Sequence, residues 1–452
     1  MHVTRIRRGL NVPLHGAPPS TVVLDRLGAR RVALLPQEAL GIKCRLLVEE
    51  GQTVRAGDPL FCDRRDERVL FTAPKGGRVT AVERGARRAV LAVILEVDPQ
   101  AEEAPFEAGA PDQLSREELV ERLAASGLWP GLRQRPFDCV ARTDDQPGAI
   151  FVTAHDTRPC SVSPRELIRG REAHFQAGLL VLQQLTEGSV FLCTAANEDW
   201  SDCEVPGLQR EGFEGPHPAG NVGTHIHTLY PVSDKRIAWH IGAQDVADIG
   251  QLFLTGKRPS QRVIALGGPA AKEPKLLRVT QGADLSEVLE GEVAANQPRV
   301  LNGSALEGQT AELGGSSGFV SRYANQVTVL EDEIERDLLG WALPVSGRFT
   351  LTNTVLDKFF RRRFKFNTDS NGSLRAIVPI GSYEEVMPLD VLPTQLIKAL
   401  SSGDVELAEK LGVLELVEED LALCQFVDPC KVPMTEWLRN MLTSIEKEAQ
   451  SA

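Results

Sequence analysis

The sequence contains no long apolar run. Its longest stretch without Asp, Glu, Lys or Arg, from Gly215 to Ser233, is interrupted by glycines and prolines that a lipid-spanning helix does not accommodate. No transmembrane segment is expected. The N-terminus sets Arg5, Arg7 and Arg8 among single apolar residues and does not have the pattern of a secretory signal, so the chain is expected in the cytoplasm. The eight cysteines form no CxxC and no group of four at ligand spacing; buried reduced thiols are expected, and iron–sulfur ligation by this chain alone is not. Basic charge is in deficit: 50 Lys and Arg against 62 Asp and Glu leave a net charge of −12, which repels a phosphate backbone and makes nucleic acid a poor partner. No internal repeat of solenoid length is visible.

What remains is globular. With 42% hydrophobic and 25% charged residues the chain buries cores, and 452 residues are enough for three or four domains. The spacing predicts an α/β multidomain chain in four parts. Residues 1–110 form an N-terminal arm and a barrel: from Val32 to Val97 short alternating runs are cut by Gly, Pro and Asp, with turns at Gly51 and Gly57. The two halves of this stretch resemble a biotinyl or lipoyl domain, a barrel-sandwich of short strands. Such a domain carries its cofactor on a lysine at the tip between halves, where this chain has Asp63-Arg64-Arg65-Asp66-Glu67-Arg68, and an arginine makes no such amide.

Residues 111–257 alternate strand and helix, which argues for a Rossmann-like parallel sheet under helices. Ser115 and Glu118 form a capping box for a helix to Ala125 stopped by Gly127. Strands at 149–154 and 189–193 flank a helix from Glu172 to Thr186, and a further helix spans Asp245 to Leu254. Residues 258–325 have the order of a small β-grasp module, with strands at 262–269 and 275–279 and a short helix at 285–289. Residues 326–452 return to strands and then turn helical from Pro393, with Asp404 as N-cap. Met434, Trp437, Leu438, Met441, Leu442 and Ile445 give a last helix one apolar stripe.

Four features carry possible chemistry. His225 and His227, two apart, would share one face of a strand, with His217 upstream, but without a third ligand no metal site is expected. His155 and Asp156, adjacent on a strand, would point to opposite faces and form no dyad. The loop Gly215, Pro216, His217, Pro218, Gly220 to Gly223 has an unusual backbone path; its glycine spacing is neither a P-loop nor GxGxxG, and a rigid surface loop docking on another subunit is the expectation. Phe359 to Phe366 interleaves aromatics with Arg361, Arg362, Arg363 and Lys365. Core phenylalanines with a solvated basic edge are favoured there over contact with anionic lipid.

Seven strings then align in order: Asp-Thr-Arg-Pro at 156–159, Gly-Pro-His-Pro-Ala-Gly at 215–220, Gly-Thr-His-Ile-His at 223–227, Arg-Tyr-Ala-Asn-Gln-Val at 322–327, Val-Pro-Ile-Gly-Ser-Tyr-Glu at 378–384, Val-Met-Pro-Leu-Asp at 386–390 and Glu-Glu-Asp-Leu-Ala-Leu-Cys at 418–424. Together they resemble the A-subunits of the sodium-translocating NADH:quinone oxidoreductases, from Gly9 to about Lys447. The resemblance implies a peripheral subunit on the cytoplasmic face of the bacterial inner membrane, in a six-subunit complex that uses NADH, flavins, iron–sulfur centres and ubiquinone to export sodium. It implies contact with the membrane subunit that carries covalent flavin, and no redox cofactor or turnover in this chain alone. One departure is Asp428, where the family usually has cysteine, two residues before Cys430; it leaves a role for Cys424 and Cys430 open.

The family is also similar to the NADH- and flavin-binding subunit of other respiratory dehydrogenases, where Ser-Gly-Leu opens a glycine-rich phosphate loop. Here Ser126-Gly127-Leu128 runs into Trp129, Leu132 and Arg133, which block the close backbone approach that glycine allows. A stand-alone flavin oxidoreductase is therefore disfavoured. The vacated pocket suggests quinone contact through Leu128, Trp129, Arg133, Arg135 and Phe137, with the aromatics stacking and an arginine donating to a quinone oxygen. The alternative is a structural adaptor that never meets quinone.

Overall fold

The computed structural model describes residues 1–19, 23–332, 349, 363–369 and 372–449. Alternation builds the N-terminal barrel-sandwich: in the strand Gly77–Arg84, Gly77 and Val79 are buried while Arg78 and Thr80 are exposed. This strand lies with Arg31–Leu34, Val90–Val97 and Thr53–Val54 in a four-stranded sheet, facing a three-stranded sheet of Cys44–Leu46, Pro59–Asp63 and Asp66–Thr72. Val32, Val54, Leu60, Val79, Val93 and Leu95 fill the space between them.

The arm leaves the barrel and closes the edges of two other sheets. Strand His2–Arg5 runs parallel to Gln209–Glu214, and Val23–Arg26 runs parallel to Lys275–Thr280. The first of these sheets has seven strands in the order His2–Arg5, Gln209–Glu214, Ser189–Ala195, Ala149–Ala154, Ala238–Gly242, Arg133–Arg135, Cys139–Val140; the first five are mutually parallel, Arg133–Arg135 is antiparallel to Ala238–Gly242, and Cys139–Val140 is antiparallel to Arg133–Arg135. Helices Glu172–Gln184 and Ala243–Thr255 pack against each other and bury Phe175, Leu179, Leu182, Val246, Ile249 and Phe253. The capping box at Ser115 and Glu118 is formed, and Gly256 closes its helix in the left-handed conformation.

The second sheet has six strands, ordered Gln309–Ala311, Pro298–Asn302, Gln326–Glu331, Gln261–Gly267, Lys275–Thr280, Val23–Arg26. Beyond it, helices Ser382–Val386, Pro393–Ser402, Val405–Lys410, Glu418–Val427 and Met434–Ala449 make a bundle with its own core of Leu396, Leu421, Leu438 and Leu442. The stripe on the last helix is buried as its periodicity predicts, except that Trp437 is half-buried. Among the described residues no helix is long and apolar enough to cross a membrane.

Two expectations are amended. His225 and His227 lie on a helix, Val222–Leu229, not a strand, so a spacing of two turns them to different sides. The alternating β-branched Val222, Thr224, Ile226 and Thr228 imitate a strand in sequence. His155 and Asp156 fall just past the end of Ala149–Ala154, and Asp156 pairs with Arg158. Phe359 to Arg362 lie outside the described residues. Phe364 and Phe366 are half-buried, with Phe366 5.9 Å from Phe426, while Arg363 and Lys365 are exposed.

Candidate functional site

A cleft opens where the barrel meets the six-stranded sheet. Strand Arg31–Leu34 ends in a single 3-10 turn, Pro36–Glu38, whose first position is proline, so its fixed φ starts the turn that carries Glu38 inward. Opposite, Gly282 adopts φ 68°, and a Cβ there would stand 2.2 Å from the Ala33 carbonyl oxygen. Only glycine permits that approach. The Ala33 amide then donates to the Gly282 carbonyl at 2.8 Å, joining the two domains at the cleft wall. Phe61 and Phe71, stacked at 4.4 Å, supply an apolar side, and the loop before Gln326–Glu331 supplies Arg322 and Tyr323. The cavity measures about 30 Å³.

Burial raises the Glu38 carboxyl to about 7, against the Arg322 amide that donates to it at 3.1 Å, the Ser321 hydroxyl and the charges of Arg322 and Arg262. Burial likewise pushes the Tyr323 phenol up to about 12, so it remains a neutral donor, bonded to the Pro130 carbonyl at 3.0 Å. The Arg322 guanidinium reaches the Leu128 carbonyl at 3.4 Å and lies 3.7 Å from Asp245, leaving its buried Nε without a partner. The cleft thus combines an apolar wall, a carboxyl whose pKa is raised to about 7 and an arginine whose buried Nε–H has no hydrogen-bond partner.

The segment singled out in the sequence stands behind this cleft. Its backbone carbonyls at Leu128 and Pro130 hold Arg322 and Tyr323, and the Arg133 guanidinium stacks over the Tyr323 ring at 5.0 Å. The side chains of Leu128 and Trp129 are not on the cleft wall. Trp129 is wholly buried, meets Trp239 edge-on at 5.5 Å and donates its Nε1–H to the Ala141 carbonyl at 2.7 Å, so neither ring face is open. Gly127, at φ 73°, lets the chain turn close under Thr72 of the barrel, whose hydroxyl donates to the Ser126 carbonyl at 3.0 Å.

Arg135 and Phe137 belong to a second locus, between the seven-stranded sheet and the helical bundle. Arg135 is paired with Glu419 at 3.0 Å and Asp420 at 3.2 Å, and lies 3.6 Å from Asp138. Burial raises the Asp138 carboxyl, but Arg133, a 2.7 Å hydrogen bond with His240 and Arg135 outweigh it and hold it well below the usual range. Phe137 and Asp138 both sit at positive φ, 81° and 60°, a strain that this network and the bond from Arg439 to the Phe137 carbonyl maintain.

The loop expected at the surface is largely inside the chain. His217, Pro218, Gly220 and Gly223 are buried, Pro216 is half-buried and Gly215 is exposed. The His217 amide donates to Asn11 and its carbonyl accepts from the Leu10 amide; its ring bonds Thr157 at 3.1 Å. The loop docks on the chain's own arm, and on the helix Glu418–Val427 through Asn221, which donates to the Glu419 carbonyl at 3.2 Å. Burial lowers His217 to about 4 and His225 to about 3, so both rings are neutral. Among the described residues no group of three or more His, Cys, Asp or Glu is placed to hold a metal. Sequence reasoning missed Glu38, Arg322 and Tyr323 as a set; Arg-Tyr at 322–323 stood in a peculiar string, but nothing local tied it to Glu38, 284 residues away.

Three family models match successive parts of the chain: the NqrA N-terminal barrel-sandwich hybrid domain at residues 4–98, the NqrA second alpha/beta domain at 114–258 and the NQRA C-terminal domain at 263–312. Among similar proteins, the A-subunit of the Na(+)-translocating NADH-quinone reductase of Pasteurella multocida is 44% identical over 98% of this chain and 99% of its own length. That of Hahella chejuensis is 43% identical with the same coverage of both chains, 98% and 99%. A solved NAD+-reducing [NiFe]-hydrogenase covers 75% of this chain and 62% of its own at 11% identity and a TM-score of 0.39, too slight a likeness to carry an argument.

Proposed function

The chain belongs to the NqrA family, the A-subunits of the Na+-translocating NADH-quinone reductases, and from that we propose that it is a peripheral, cytoplasmic-side subunit which holds no redox cofactor and offers its Glu38–Arg322–Tyr323 cleft to the ring of ubiquinone. The complex oxidises NADH, reduces quinone and moves sodium; this chain contributes to the quinone step. We read its seven-stranded sheet as Rossmann-like and its six-stranded sheet as a β-grasp module, with domain limits at 110, 257 and 325. Its principal neighbour is the membrane subunit with covalent flavin.

One observation carries the quinone reading: an apolar wall, a proton-exchanging carboxyl and an unpartnered guanidinium N–H meet in one cleft. A quinone carbonyl accepts from Arg322 Nε, and Glu38 holds or releases a proton beside it. The packing of Trp129 and Leu132 supports the absence of a flavin at the Gly127 turn, since both are fully buried where a phosphate needs bare backbone. Titrating ubiquinone against the isolated chain while following tryptophan fluorescence tests the cleft, and repeating the titration with R322K isolates the contribution of the guanidinium. Saturable quenching that R322K weakens is expected, and a flat titration opposes it.

A second reading is favoured by size. A cavity of about 30 Å³ admits a water or two, not a ring, unless a wall side chain swings out. On that reading the chain is an assembly adaptor without quinone contact, and FMN, NADH and ubiquinone all fail to bind it.

A further inference from the structure

Two hairpins of the barrel bring their cations to one end. The turn after Pro59–Asp63 exposes Arg64 and Arg65, and the turn after Gly77–Arg84 exposes Arg84, Arg87 and Arg88. The strand Cys44–Leu46 pairs with the first hairpin and approaches the second. Cys44 pairs with Asp63, the Arg64 amide donates to the Lys43 carbonyl at 2.8 Å, and Arg84 lies close enough to Cys44 to act on its thiol.

Over residues 43–45, 63–68 and 83–88 the sequence places eight cations against four carboxylates, in a chain whose net charge is −12. The carboxylates are largely engaged. Glu67 pairs with Arg45 and Asp66 with Arg68, while Asp63 accepts the amides of Lys43 and Arg65 at 2.9 and 3.0 Å. No carboxylate among the described residues forms an ion pair with Arg64, Arg87 or Arg88. Arg87 and Arg88 are also held at φ 54° and 60°, consecutive left-handed positions in a five-residue turn whose strain has no apolar burial to account for it.

We infer that this end of the barrel is a docking surface for anionic phospholipid headgroups, with Arg64, Arg87 and Arg88 as its principal contacts. The fully buried core of a protein interface is depleted of charge and built on aromatic and apolar residues; here Leu47, beside these segments, is the one large apolar side chain exposed nearby in sequence, which leaves no such core. A headgroup layer asks for mobile, unpaired cations within a Debye length of about 8–10 Å, which screens out the chain's distant negative charge. The arginines at the barrel tip thus turn a position that carries a cofactor in related barrels into an electrostatic foot.

Flotation of the full chain with vesicles of phosphatidylcholine alone, or mixed with phosphatidylglycerol, tests this. Binding to the mixed vesicles alone, weakened by salt, is expected. The triple variant R64A/R87A/R88A should bind roughly a hundredfold more weakly, about fivefold per arginine, whereas K257A/K398A/K410A, which changes net charge equally, should not. Equal loss in both variants, or equal binding to both vesicle types, would overturn the assignment. So would a triple variant that binds vesicles normally but no longer co-purifies with the membrane complex, which would give the face to an acidic protein partner.

Discussion

Arg135 and Asp420, 285 residues apart in sequence, meet at 3.2 Å with about 1% of each side chain exposed. They fasten the seven-stranded sheet to the helical bundle. Burial raises Asp420 to about 7, Arg135 opposes the rise and Glu419 adds to it, so the guanidinium is what keeps adjacent carboxylates tolerable in one site.

Removing one partner of such a buried pair strands the other. R135M should therefore cost about 3–5 kcal/mol in urea unfolding, with part of the loss recovered in R135M/D420L, where Asp420 no longer stands without its partner and Glu419 is left without one. A cost below about 1 kcal/mol would mean that the pair is solvated in solution.

Glu38 gives a pH dependence whose sign follows from its direction of shift. Its carboxyl is raised from 4.5 to about 7, so between those values the folded chain keeps a proton that the unfolded chain has lost. The stability it contributes is full below the unfolded value and declines as pH rises through the folded one. E38Q has nothing to ionise. Relative to it, the wild type should lose melting temperature from about pH 5 to about pH 8; parallel curves would contradict the buried carboxyl.

Asp428, the departure from the family's cysteine, is wholly buried and accepts from the Tyr383 hydroxyl at 2.6 Å and from the amides of Cys430 and Val432 at 2.9 and 2.8 Å. It ties the turn between the last two helices to the helix Ser382–Val386. Y383F should cost about 1–1.5 kcal/mol and D428A more, because the alanine leaves two amides unpaired. Hydrogen exchange at residues 428–434 should quicken in D428A and stay slow in Y383F.

Trp129 separates a packing role from a stacking one. As a core residue it should cost about 3–5 kcal/mol when truncated to alanine, and W129F, which keeps most of the volume, should leave ubiquinone binding unchanged. A W129F chain of native stability that has lost quinone affinity would restore the stacking role.

What the sequence disclosed follows local physics. The capping box at Ser115, the glycine stop at 256 and the stripe from Met434 to Ile445 are set by neighbours within a few residues, and the structure has all three. The helix Val222–Leu229 was hidden because its β-branched alternation obeys a strand's period while its burial comes from Phe213, Pro218 and Glu419, far along the chain or across a turn. The cleft was hidden for the same reason on a larger scale: Glu38, Gly282 and Arg322 come from three segments, and none carries a pattern that names the others. The segment 128–137 stands out through its missing glycines, yet its backbone, more than its side chains, is what meets the cleft.

The most direct measurement is photolabelling of the intact complex with a ubiquinone bearing a photoreactive group on its ring. The account predicts labelled peptides from this chain at residues 33–39 or 320–323, lost when excess ubiquinone competes. Label confined to the membrane-embedded subunits would contradict it and leave this chain an adaptor.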